Sequence, residues 1–223
     1  MILKLPSIRS DQQIYGAQLI LDKRWNPMIN LPKLITVFDT ETTGTGRDAL
    51  VVSYGSVELD LQTNKISEHF EIFVNPRLDS EDLAIYEEYA YKVTNISIPG
   101  MPDCDQTRFV ESHIFTQEIQ NRLKNTTSML AHNASFDRRM LDQTLSSDQT
   151  FVEAFNINLF CSLKLSREVF SKDVVGSFSL DSLCKYTNVD ISDRNFHGAL
   201  LDAELTANYL VELNKRGFIN VQP

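Results

Sequence analysis

The sequence predicts an α/β domain built on a mixed five-stranded sheet flanked by helices. Three features predict it. Short apolar runs of strand length stand at 34–38, 128–131 and 157–160. Two longer strand patterns, Ala49 to Leu61 and Ile66 to Val74, meet at a polar turn, and apolar residues at helical spacing separate and follow the later strands. An early antiparallel meander followed by strands in crossover units suits this order of elements.

Taken in order, LITVF (34–38) is rich in β-branched residues and reads as a buried strand. The next two strands turn at Gln62, Thr63 and Asn64. After Asn75-Pro76 comes SEDLAIYEEYAYKV, read as partly helical. Val110, Ile114/Phe115, Ile119 and Leu123 recur at helical spacing and predict a helix over 105–124. Ser128–Ala131 is a short strand leading into a helix from Ser135 to Leu145. Ile157–Phe160 is the fifth strand, with short helices at 162–170 and 179–187. Leu200, Ala203, Ala207, Leu210 and Val211 give the last helix its packing face. Residues 1–33 form an N-terminal extension of unknown role, and 216–223 a short C-terminal tail. Within the extension, IYGAQLILDKRW is read as an arm packed on the body, and Lys23, Arg24 and Trp25 are its groups suited to nucleic acid.

The bulk numbers narrow the class. With 223 residues, 42% hydrophobic and 23% charged, the chain suits one globular domain with a real core. No apolar run reaches bilayer length, and MILKLPSIRSDQQ is broken by Lys4, Pro6, Arg9 and Asp11, so a signal peptide is not expected and a cytoplasmic location is. Cys104, Cys161 and Cys184 form neither a CxxC pair nor a disulfide framework, and reduced thiols are expected. A net charge of −9 argues against broad adhesion to a phosphate backbone. It leaves room for a carboxylate site whose bound cations become the phosphate-binding groups.

Three acidic stretches bear on chemistry. In FDTETTG (38–44), strand alternation puts Asp39 and Glu41 on one face, where two carboxylates at a buried strand end call for a hard cation. In AHNASFD (131–137), His132 and Asn133 end a strand and Asp137 lies in the first turn of a helix, where the dipole favours a carboxylate. In HGALLDAELTANYL (197–210), His197 precedes a helix start and Asp202 follows it, with Gly198 expected to supply turning freedom. Each stretch alone also fits a capping aspartate or a surface histidine. Together, four carboxylates fall at element ends, where an α/β sheet places its cleft. Two divalent cations roughly 4 Å apart would balance them and clamp the oxygens of a phosphoryl transfer, with His197 as the base for a water.

DTETTG, HNASFD and HGALLD, in this order, resemble the three motifs of the DEDDh family of 3′→5′ exonucleases. Within that family the likeness is to the epsilon proofreading subunits of bacterial DNA polymerase III, and SLDSLCKYTNVDISDRNFHGALLDAELTANYL (179–210) carries it beyond the motifs. The resemblance spans roughly 34–213 and assigns 34–215 to an exonuclease domain with a ribonuclease H-like fold. It implies two divalent cations, Mg²⁺ or Mn²⁺, held by Asp39, Glu41, Asp137 and Asp202, with His197 as general base. It also implies that Thr42, Thr43 and Phe136 line the terminal nucleotide, and that Val93 and Thr94, in AYKVTNIS, cover the last bases. Phe136 and Val93 equally suit the core. The partner implied is a single-stranded 3′ end, DNA favoured, with a DNA polymerase as a second partner and no membrane.

The chain departs from the family pattern in four places. Asn95 stands where Gly is common, Ser53-Tyr54 where Glu-Ile is, and Cys161 where Asp is. The chain ends at NKRGFINVQP, without the expected clamp-binding motif and polymerase-binding tail, so a free-standing exonuclease competes with a polymerase subunit. Two further alternatives stay open: an RNA-trimming enzyme of the oligoribonuclease or ribonuclease T kind, and a catalytically idle module that docks on a polymerase or nucleic acid. Asp39→Ala or Asp202→Ala is expected to abolish cleavage and leave the fold unharmed, because each removes one of several mutually repelling carboxylates.

Overall fold

In the computed structural model, which describes residues 28–145 and 151–223, the described part opens with strands β1 (Ile29–Pro32), β2 (Leu34–Thr42), β3 (Val51–Asp60) and β4 (Lys65–Val74). Helices α1 (Ser80–Glu88) and α2 (Ala90–Thr94) follow, then a 3₁₀ turn at Gln106–Arg108 and strand β5 (Phe109–Val110). The second half carries α3 (Ser112–Leu123), β6 (Ser128–Ala131), α4 (Ala134–Leu145), α5 (Phe151–Ala154), β7 (Asn158–Cys161), α6 (Ser162–Val169) and α7 (Lys172–Val175). It closes with α8 (Leu180–Thr187), α9 (Ala199–Lys215) and β8 (Ile219–Gln222). Lys23, Arg24, Trp25 and most of the expected N-terminal arm lie outside the described residues.

The main sheet has six strands in the order β5-β4-β3-β2-β6-β7. The meander β2-β3-β4 is antiparallel, and β6, β7 and β5 join in parallel. The strand beyond the expected five is β5, which also shortens the helix predicted over 105–124. Phe109 and Val110 pair with Phe73 and Val74 on the sheet edge, so Val110 belongs to a strand and the helix starts at Ser112. That helix buries Phe115, Ile119 and Leu123 and leaves Ile114 exposed. Two short helices, α5 and α7, were not foreseen; four residues carry too few repeats for a periodicity to show.

A second, two-stranded sheet joins the ends of the described chain, β1 running parallel to β8 from Ile29↔Ile219 to Pro32↔Gln222. Ile29, Leu31 and Ile219 are buried there and belong to one of the two main cores. Residues on both sides of the expected limits at 33/34 and 215/216 are thus tied to the body.

The sheet separates two apolar layers, and β2 contributes to both by alternation. Ile35 and Val37 pack with α9 and α8 residues such as Leu210, Leu213 and Leu183. Phe38 faces the other way, with Phe115, Ile119, Met140 and Leu141 of α3 and α4, and stacks on Tyr54 at 5.9 Å between ring centroids. Helix α9 is buried nearly all round, because it lies across β2 and β3 and is covered by α8. Tyr209, buried within it, satisfies its hydroxyl on Ser166 Oγ at 2.7 Å.

One glycine sets how closely α9 lies on the sheet. Gly55 of β3 is the register partner of Asp39, and a Cβ there would stand 2.1 Å from the Leu200 backbone nitrogen. The absent side chain is the space that the first turn of α9 occupies. An isolated glycine in a strand is a recognised sign of close backbone approach.

Candidate active site

Strand β2 runs on to Thr42, four residues past the LITVF run, so Asp39 and Glu41 do share a face, the face on which α9 lies. The ladder with β3 is irregular between Glu41 and Thr42, as befits a strand end that turns into a loop. Asp202 projects from the first turn of α9, brought to the same place by the close approach at Gly55. Asp137, in the first turn of α4, is 2% exposed and arrives beside Thr40, which faces away from Asp39 and Glu41. The Thr40 amide donates to Asp137 Oδ1 at 3.2 Å and the Thr40 hydroxyl at 2.8 Å. Thr40 is therefore the clamp for Asp137, a role that its place inside DTE did not reveal.

All four carboxylates and His197 line one cleft of about 1000 Å³. Burial acts on them collectively. The Asp39 carboxyl is held well above the usual carboxylate range, by desolvation first and then by Asp137, Glu41 and Asp202. Burial and the charge of Asp202 push Glu41 up to about 8. Asp137 rises to about 7, again by burial, with the Thr40 hydrogen bond acting against the rise. Asp202 departs from this pattern. Burial works against its charge, but the Arg194 guanidinium and the His197 ring hold its carboxyl below the usual range.

The residues present fit a divalent cation. Glu41 is 8% exposed, and its Oε1 is buried with no hydrogen-bond partner. A bare buried carboxylate oxygen is costly unless a cation or proton meets it. Glu41, His197 and Asp202 each offer a ligand atom within 4.8 Å of the others. Hard divalent ions take oxygen donors of this kind. That triplet includes His197, which the resemblance makes a base, while Asp39 and Asp137 line the same cleft outside it.

His197 sits on the loop before α9 with its side chain 48% exposed. Its amide donates to the Val93 carbonyl at 3.0 Å, which links the histidine loop to α2. Its Nδ1 lies 3.1 Å from Asp202 Oδ2 and 2.9 Å from Arg194 Nη2. The hydrogen bond to Asp202 raises the ring's pKa, against the opposing effect of burial. Gly198, expected to supply turning freedom, has φ −148° and ψ 129°, an extended conformation open to any residue. The turn comes instead from the 193–195 segment, where the Asn195 amide donates to the Asp193 carbonyl.

Among the residues expected to hold substrate, Thr42, Thr43, Val93, Thr94 and Phe136 all line the cleft. Their hydroxyls are largely committed to local structure. Thr42 Oγ1 donates to the Gly44 carbonyl at 2.6 Å, and Thr43 Oγ1 accepts from the Leu50 amide at 3.0 Å. Thr94 is buried, donates to the Ala90 carbonyl and accepts from the Ile96 amide. Val93 is 49% exposed, and Phe136 is partly buried with the Arg139 guanidinium over its ring at 5.5 Å.

Two family departures find a physical account. Asn95 takes φ 53°, the left-handed conformation that Asn tolerates best after Gly, and caps α2 through its amide to the Tyr91 carbonyl. Tyr54 fills the core against Phe38. His132 is structural: its Nδ1 lies 2.9 Å from Ser162 Oγ and its Nε2 3.0 Å from the Phe178 carbonyl, and burial lowers its pKa. The residue that sequence reasoning passed over is Arg194, 8% exposed, which donates from Nε to Asp202 Oδ1 at 2.7 Å and from Nη2 to Asp202 Oδ2 at 2.5 Å. A third donor, Nη1, meets Asp181.

Comparison with known proteins agrees with this geometry. Residues 36–210 match the RNase_T family model, described as Exonuclease. The DNA polymerase III subunit epsilon of Rickettsia typhi is 32% identical over 185 residues, spanning 79% of this chain and 72% of that protein. Among solved structures, an Escherichia coli exonuclease I complex with single-stranded DNA superposes with a TM-score of 0.64 at 16% identity. That match covers 83% of this chain and 41% of exonuclease I, so the chain spans about two fifths of that enzyme. Exonuclease X superposes with a TM-score of 0.54 at 22% identity, covering 82% of this chain and 93% of exonuclease X. These two likenesses show the fold, a ribonuclease H-like mixed sheet between helices. With the family model spanning most of the domain and the acidic motifs meeting in one cleft, the chain belongs to the exonuclease family, in its DEDDh branch.

Proposed function

We propose that this chain removes nucleoside 5′-monophosphates one at a time from a single-stranded 3′ end of DNA, by metal-dependent hydrolysis. The observation that carries this reading is the convergence of Asp39, Glu41, Asp137, Asp202 and His197 on one cleft, with a buried Glu41 oxygen left without a partner. In this reading the four carboxylates hold two Mg²⁺ or Mn²⁺ ions, which when bound neutralise the site and stabilise charge on the attacking and leaving oxygens. When Nδ1 carries the proton and donates to Asp202, instead of accepting from Arg194 Nη2, His197 Nε2 keeps the lone pair that a base needs. His197 takes a proton from the water as its oxygen bonds to phosphorus, the P–O3′ bond breaks, the O3′ takes up a proton from solvent, and His197 gives its proton back to solvent. Thr42, Thr43, Val93, Thr94 and Phe136 hold the last nucleotides. Val93 and Phe136 offer apolar surface for bases, and the threonines shape the wall through their backbone turns.

DNA is favoured because the epsilon relatives are DNA polymerase subunits by name, and the same relatives support a DNA polymerase as partner and a cytoplasmic location. Among the described residues no helix is long and apolar enough to cross a membrane. Residues 34–215 constitute the exonuclease domain in this reading.

The test is digestion of matched 5′-labelled DNA and RNA single strands with and without Mg²⁺ or Mn²⁺. A ladder shortening from the 3′ end of DNA, dependent on metal, is expected. Faster consumption of RNA would move the assignment to an RNA-trimming enzyme. No cleavage of either would leave the docking-module alternative.

A further inference from the structure

Arg194 makes contacts that the catalytic reading does not use. Its guanidinium forks onto both oxygens of Asp202, and the His197 ring adds a third contact at Asp202 Oδ2. A carboxylate has about four acceptor positions, so three are already taken on a residue assigned to a metal. Arg194 and Asp202 are 8% and 5% exposed, a desolvated pair, whereas Asp181, on the other edge of the guanidinium, is 43% exposed. A shift toward Asp181 carries the charge outward to water, where its desolvation is relieved. The fork also leaves most of the site without a counter-charge: one guanidinium sits on Asp202 while Glu41 Oε1 remains without a partner.

We propose that Arg194 is a resident counter-cation, which occupies Asp202 in the metal-free protein and withdraws onto Asp181 as metal takes the carboxylate. The proposal rests on the metal-site reading above and makes Arg194 and Asp181 positioning residues that set metal affinity. The two residues act in opposite directions. Arg194 competes with the metal, and Asp181 lowers the cost of that competition by giving the guanidinium a second seat.

The test is calorimetric titration of the metal-free chain with Mn²⁺, which reads binding without turnover. Arg194→Gln is expected to tighten Mn²⁺ about tenfold, and Asp181→Asn to weaken it severalfold. In the double variant Asp181→Asn should have no further effect, since no guanidinium remains to be seated. Were Arg194 a brace that holds Asp202 in place for the metal, both single variants would bind Mn²⁺ more weakly. Unchanged or weaker binding by Arg194→Gln overturns the proposal. Should that variant fail to fold, Arg194→Met, which keeps much of the side-chain volume and removes the charge, must bind Mn²⁺ more tightly than wild type, and unchanged binding again overturns it. Asp39→Asn separates the two levels. If it binds Mn²⁺ like wild type, the metal-site reading fails. If it loses Mn²⁺ while Arg194→Gln is unaltered, only the counter-cation is refuted.

Discussion

Gly55→Ala should cripple this site without touching any residue in it. The added methyl would stand 2.1 Å from the Leu200 nitrogen and 2.3 Å from the Ala199 carbonyl carbon, where ordinary contact begins at 3.4 Å. Both neighbours are backbone atoms, so no rotamer change relieves the clash, and the first turn of α9 must lift by more than an ångström. Asp202 lies two residues beyond Leu200 in that turn and His197 just before it, while Asp39, paired with Gly55, stays with the sheet. Overpacking of this kind costs about 1–3 kcal/mol of stability. A displacement of about 1 Å among reacting groups costs on the order of 100-fold in rate. Urea unfolding should therefore show a folded but weakened protein, and digestion of a 5′-labelled single strand with Mg²⁺ a rate lower by about two orders of magnitude. Wild-type stability together with wild-type turnover would refute the idea that this contact sets the position of Asp202.

Further outcomes follow from the same geometry. Asp202→Ala should unfold more easily by about 2–3 kcal/mol, less than the 3–5 typical of a broken buried pair because Asp181 still meets Arg194, whereas Asp39→Asn should be neutral or stabilising; urea midpoints decide, and the equal tolerance expected from repulsion alone does not survive the Arg194 fork. Without metal, the raised carboxyls of Asp39, Glu41 (about 8) and Asp137 (about 7) hold protons in the folded state that the unfolded chain loses near pH 4. Stability should thus fall from about pH 5 to 8, and the thermal shift on adding Mg²⁺ should grow over that window; a midpoint flat with pH would contradict it. Asp202, lowered, contributes with the opposite sign only below that window. The cleavage rate should rise with pH as the His197 ring loses its proton, and His197→Ala should lose most of the rate and that limb of the profile. Gly198→Ala, with an extended backbone and nothing within 4 Å of the added methyl, should stay within about 1 kcal/mol of wild type in a denaturant titration, because the stiffer unfolded chain offsets a poorer helix N-cap.

How much of this was legible beforehand depended on the range of the physics involved. Alternation in FDTET put Asp39 and Glu41 on one face, and helix starts placed Asp137 and Asp202, because these are consequences of local backbone period. The helix expected over 105–124 was shortened by a two-residue pairing of Phe109 and Val110 with β4, a contact that periodicity cannot register. Gly55 carried a readable sign, an isolated glycine in a strand, but nothing local says which backbone approaches it. Arg194 had no sign at all: an arginine in a polar loop, DISDRNF, looks like any solvated cation.

By itself, then, the amino-acid order determined the periods of the strands and helices, the chemical type of the site and the family to which its motifs belong. Tertiary structure decided which groups became partners: Thr40 with Asp137, α9 with the bare backbone of Gly55, and Arg194 with Asp202 and Asp181. The physical reason is that backbone period acts over a few residues, whereas desolvation and charge pairing depend on atoms brought together from far along the chain.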